Sequence, residues 1–114
     1  LQTPYQLSNK GRYLHPGGLL HSFIHVVMTL PVFLVIAPES PQAAGLILGG
    51  EYLIHYHTDW TKDNVNRLAG WTPAHAPFWW AIGLDQLVHG LTYVAIVWAL
   101  LTPGLADRVL ALVQ

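Results

Sequence analysis

The sequence predicts an all-α integral membrane bundle with three visible transmembrane helices, and three observations carry that expectation. Hydrophobic residues make up 53% of the 114 and charged residues only 10%, less than half the charge of an ordinary soluble domain. Three apolar stretches, about 17–37, 42–59 and 78–101, have the length or near-length of a bilayer crossing. Ionisable residues inside them recur at four-residue spacing, which places them on one side of a helix.

The first segment, up to residue 16, is polar and contains Pro4, Lys10, Gly11, Arg12 and Pro16; it reads as a loop or short surface helix. The 17–37 stretch follows, with Pro31 as a candidate kink that a membrane helix tolerates. Pro38-Glu39-Ser40-Pro41 has the composition of a tight turn. In the 42–59 stretch, Gly45 and Gly49 form a small-xxx-small pair that permits close helix approach. The chain then turns polar from Trp60 to Pro77 before the 78–101 stretch, the most apolar of the three. Pro103-Gly104 ends it, leaving 105–114 as a short amphipathic tail. The whole chain is a single transmembrane domain.

Orientation follows from the basic residues. Lys10 and Arg12 precede the first crossing, Lys62 and Arg67 lie between the second and third, and the Pro38–Pro41 turn has none. Both basic segments therefore belong on the cytoplasmic side. Trp60, Trp71, Trp79 and Trp80 flank the same boundary, as an interfacial aromatic belt should.

Charge in the hydrocarbon is costly, about 2.5 kcal/mol or more per residue, so such groups face a bundle interior and a partner. His21 and His25 fall in the first crossing, Glu51, His55 and Asp59 in the second, and Asp85 and His89 in the third. At about 1.5 Å of rise per residue, His21, His55, Asp59, Asp85 and His89 converge on the cytoplasmic third of the bilayer. Imidazole and carboxylate together suit zinc, manganese or iron, and facing helices of bundles assemble metal sites in this way. The metal ligands expected are therefore His21, His55, Asp59, Asp85 and His89. His25, Glu51, Lys62 and Gln86 are expected around them. Lys62, one turn beyond Asp59, is placed to neutralise it.

An open coordination position would activate water for hydrolysis of a membrane-associated substrate. Two other readings fit the same residues. Buried histidine and aspartate can simply bond across helices, at about 0.6 kcal/mol per bond, in an accessory subunit of a larger membrane complex or a homo-oligomer. Asp, Glu and His chains also serve proton-linked carriers. A net charge of -1 lacks the basic face that nucleic-acid binding needs. No cysteine is present, so disulfides and thiolate metal ligands are excluded.

The stretches His55-Tyr-His-Thr-Asp59-Trp-Thr-Lys62 and Asp85-Gln86-Leu-Val-His89 resemble domain-of-unknown-function family 3307, small integral membrane proteins of bacteria and their phages. That family shows a His-x-x-x-Asp-x-x-Lys stretch and, later, Asp-Gln-x-x-His near the start of its last helix. His21, within Leu19-Leu20-His21, matches the histidine that opens the family's second helix. The resemblance runs in order along nearly the whole chain. It implies a location in the bacterial inner membrane and a further N-terminal helix, of which Leu1-Gln2 would be the end. It implies no activity.

Overall fold

The computed structural model describes residues 3–112, and these form helices joined by short turns. Helix α1 is Pro4–Asn9, α2 is Pro16–Thr29, α3 is Pro41–Leu68, α4 is Ala76–Leu100 and α5 is Leu105–Ala111. A 3₁₀ segment, Leu30–Leu34, continues α2.

Local chemistry sets the boundaries. Proline stands in the first turn of α1, α2, α3 and α4, where its missing N–H is not needed. The Thr3 hydroxyl and the Gln6 side chain cap α1 reciprocally. His15 Nδ1 accepts from Gly17 N at 3.1 Å to open α2, and Ser40 Oγ accepts from Ala43 N at 3.1 Å to open α3. Pro31 lies where the α-helix tightens into the 3₁₀ segment, so the regular helix ends at Thr29 rather than running on to residue 37.

Helix α3 continues to Leu68, past Asp59, where the sequence suggested the helix would give way to a polar connection. Side chains support the added turns: Lys62 pairs back to Asp59, Asn64 Nδ2 donates to Trp60 O at 2.8 Å, and Arg67 donates to Asn64 Oδ1 at 2.6 Å. Gly70, at φ 65°, supplies the left-handed residue that ends such a helix without side-chain strain.

Helix α3 is the centre of the molecule. It packs against α2 and α4, while α1 rests on α2 and α5 on α3. Burial is inverted relative to a water-soluble domain. Among the described residues, the buried apolar side chains are Ala43, Tyr56 and Ile96, whereas the buried polar ones include Lys10, His21, Glu51, His55, Asp59 and Asp85. Large apolar side chains of α4 face outward, among them Leu84, Leu87, Leu91, Val94 and Trp98.

Two helical stretches, Pro16–Leu34 and Ala76–Leu100, are long and apolar enough to cross a membrane. The third expected crossing, α3, does not reach that hydropathy, because glycines and the polar stripe of Glu51, His55 and Asp59 dilute it. The Gly45/Gly49 pair packs against nothing within the chain: a Cβ at either position would meet no described atom within 4 Å. Close approach occurs instead at Gly18, where a Cβ would lie 3.3 Å from Lys10 Cα and from the Tyr56 ring.

Candidate metal centre

Three helices deliver the polar stripe to one place. On α2, His21 and His25 are one turn apart; on α3, His55 and Asp59 are; on α4, Asp85 and His89 are. The side chains of His21, His55, Asp59 and Asp85 are buried.

Asp59 divides its two oxygens between different partners. Oδ1 faces ammonium groups: Lys62 Nζ donates to it at 3.1 Å and Lys10 Nζ at 3.5 Å. Oδ2 faces imidazoles, at 3.0 Å from His21 Nε2 and 3.7 Å from His55 Nε2. Oδ2 is buried and pairs with His21 Nε2. His21 Nε2 and His55 Nε2 are themselves 3.3 Å apart. The His55 ring is stacked on His89, centroids 4.0 Å apart, and lies tilted by 33° against His25, centroids also 4.0 Å apart.

The five expected ligands, joined by His25, fall into two neighbouring groups, each of which could hold a metal ion. His21, His25 and His55 form one, and Asp59, Asp85 and His89 the other, with ligand atoms in each group within 4.8 Å of one another. In the second group a cation is already in place. Lys62 Nζ lies 3.3 Å from Asp85 Oδ1 as well as 3.1 Å from Asp59 Oδ1. His89 Nε2 lies 3.4 Å from Asp85 Oδ1 and 3.9 Å from Asp59 Oδ1.

The surrounding residues take varied places. Gln86 Nε2 donates to Asp85 Oδ2 at 3.0 Å, as a supporting residue should. Lys62 is nearer the centre than a support, being paired to both carboxylates. His25 stands among the histidines themselves, its Nδ1 also 3.4 Å from the Tyr93 hydroxyl. Glu51 is set apart: its Oε1 accepts from Thr29 Oγ1 at 2.7 Å.

Electrostatics beyond the apolar part of α3 follow from these pairs. Burial alone would lower the Lys62 ammonium, but Asp59 and Asp85 outweigh it and hold it above its ordinary range. Burial pushes the neighbouring Asp63 carboxyl up, against the opposing pull of Lys10 and Lys62.

Lys10 is the participant that sequence reasoning missed, having been assigned only to membrane orientation. The one available signal was charge balance: two buried aspartates require two cations, and Lys62 supplies one. His15, His57 and His75 stay outside the cluster; His15 caps α2, His57 contacts Tyr13 and the Leu53 carbonyl, and His75 bonds Thr72.

No known protein family, curated protein or solved structure matches the chain.

Proposed function

We propose that this chain is a multi-pass protein of the bacterial inner membrane that binds a divalent metal through His21, His55 and Asp59, with His25 beside them and a fourth position open to water. The observation that carries this reading is the triangle of His21 Nε2, His55 Nε2 and Asp59 Oδ2, with sides of 3.0, 3.3 and 3.7 Å. Ligands about 2.0–2.1 Å from a tetrahedral zinc are separated by about 3.3 Å, so three of the four corners stand at nearly that spacing. Asp59 Oδ2, buried against His21, brings an anionic oxygen to that triangle.

A bound divalent ion would act as a Lewis acid and activate water for hydrolysis of a membrane-associated substrate. Asp85 and His89 fall outside this ligand set, because Asp85 Oδ1 is already paired with Lys62 Nζ at 3.3 Å and with His89 Nε2 at 3.4 Å. The membrane part of the proposal rests on the outward apolar residues of α4 and the inward polar stripe. A helix packed between two apolar ones buries its polar face in protein, which lets α3 cross with them. The resemblance to family 3307 supports the same location, with Lys10 and Lys62 on the cytoplasmic side.

A second reading, a non-catalytic accessory subunit, is favoured by the open glycine face at Gly45 and Gly49 and by lysine neutralisation of Asp59 and Asp85. Elemental analysis of the detergent-purified protein separates the two. The metal reading expects about one ion per chain, lost in His21→Ala and His55→Ala but retained in Asp85→Asn. An intact, folded protein that takes up no divalent metal leaves the accessory reading.

A further inference from the structure

On α3, Glu51 is the member of the Glu51, His55 and Asp59 stripe that the metal site does not use. It lies one turn from His55 on α3, is only 2% exposed, and spends one oxygen on Thr29. The other, Oε2, is buried without a hydrogen-bond partner among the described residues. Glu51 also lines a partly open cavity of about 280 Å³ between α3 and α4, with α5 residues on its wall. Leu46 and Ile54 wall it from α3, Ile96 and Ala99 from α4, and Val109 from α5. Its lining is mostly apolar, with three polar residues: Glu51, Glu39, whose carboxylate is spent on Gly104 N, and Thr92, whose hydroxyl donates to Val88 O.

An apolar cavity with one unsatisfied carboxyl selects a ligand by elimination. The ligand must be apolar over most of its length and polar at one end. A carboxylate only accepts, whereas a carboxylic acid also donates; a hydroxyl pairs with either form because it does both. A carbonyl or ether oxygen pairs only with the protonated form, and an ammonium only with the ionised form. The volume sits at the small end of ligand pockets, about 300–1,000 Å³, and suits one chain rather than a two-chain phospholipid.

We propose that this cavity binds a single-chain lipid alcohol, its hydroxyl on Glu51 Oε2 and its chain between α3 and α4 toward α5. The proposal rests on the membrane part of the reading above, not on the presence of a metal. α5 is held at the cavity's wall by a specific contact, since the Glu39 carboxylate accepts from Gly104 N at 2.9 and 3.0 Å.

The test is photolabelling of the whole chain in lipid nanodiscs with a long-chain alkanol carrying a diazirine. Labelled peptides should come from α3 and α4. Unlabelled alkanol should compete about tenfold better than its methyl ether, which cannot donate. Ala99→Phe fills the cavity without touching Glu51 or Thr29 and should reduce labelling about tenfold, as should Glu51→Leu. Equal competition by the ether, or undiminished labelling of Ala99→Phe, overturns the proposal. Metal analysis and alkaline carbonate extraction are run on the same preparations. Selective labelling without metal removes the metal site and leaves the cavity assignment standing. Release of the protein from membranes by carbonate removes the premise the two share, and the lipid-alcohol site with it.

Discussion

Asp59 is where residue-scale chemistry concentrates: two ammoniums meet one of its oxygens and two imidazoles approach the other. Breaking a buried pair by removing one partner leaves an uncompensated charge and costs about 3–5 kcal/mol. Lys62→Met removes the cation shared by the two aspartates, leaving Asp59 to Lys10 and Asp85 to His89, so it should destabilise the protein by up to about that amount in a detergent thermal-melting measurement. Lys10→Met, with the longer 3.5 Å contact, should cost less. The pH dependence has a definite sign. The folded-state ammonium of Lys62 is held above its ordinary value of 10.5, so its contribution is complete below that value. It is lost only as pH rises through the higher folded value. Melting temperature of the parent protein should therefore fall on strong alkalinisation, and Lys62→Met should blunt that fall. The His-x-x-x-Asp and Asp-x-x-x-His spacings were legible in the sequence because helical periodicity alone brings such pairs together. Lys10 was not, because its approach to Asp59 depends on a turn that no local pattern encodes.

At the scale of elements, the α1–α2 connection is what delivers Lys10 to the centre. It is fastened by Tyr56 Oη, which accepts from Leu14 N at 2.6 Å, and by Asn64 Nδ2, which donates to Gly11 O at 2.8 Å. Leu14 sits at φ 56°, a left-handed conformation that costs a non-glycine residue about 1–2 kcal/mol. Leu14→Gly should relieve that cost, offset in part by glycine's greater unfolded-state freedom, and so raise stability slightly. Tyr56→Phe should lower it by about 1–3 kcal/mol by stranding the amide; paired melting curves check both signs. The glycines divide in the same way. Gly18→Leu should displace α1 and destabilise the fold, whereas Gly49→Leu should leave the melting temperature of the isolated chain unchanged. The small-xxx-small pattern was visible in the sequence, but pattern alone could not say which glycines the chain itself uses. The extension of α3 to Leu68 was hidden for a related reason. Its last turns are polar on their surface, so apolar periodicity stops before the helix does.

For the whole molecule, the inside-out distribution of polarity is the governing fact. Apolar side chains of α4 point outward while ionisable groups of three helices point inward. A 25-residue α4 is about 37 Å long at 1.5 Å per residue, enough for a hydrocarbon core of about 30 Å. Hydropathy alone made this architecture legible for Pro16–Leu34 and Ala76–Leu100, and left α3 short because its polar stripe serves the site. Since the chain has no cysteine, single cysteines report topology without background. Ala37→Cys and Ala69→Cys should react with a membrane-impermeant maleimide from opposite sides of the membrane, with Ala69→Cys on the cytoplasmic side. Reaction of both from the same side would contradict a crossing by α3.

The central claim is a metal held by imidazoles and one carboxylate, and metal-edge X-ray absorption of the zinc-titrated protein tests it most directly. The expected spectrum has nitrogen and oxygen neighbours at about 2.0–2.1 Å with the outer-shell scattering of coordinated imidazole, and loses that signature in His55→Ala. A spectrum indistinguishable from zinc in buffer, from protein shown to be folded, would contradict it.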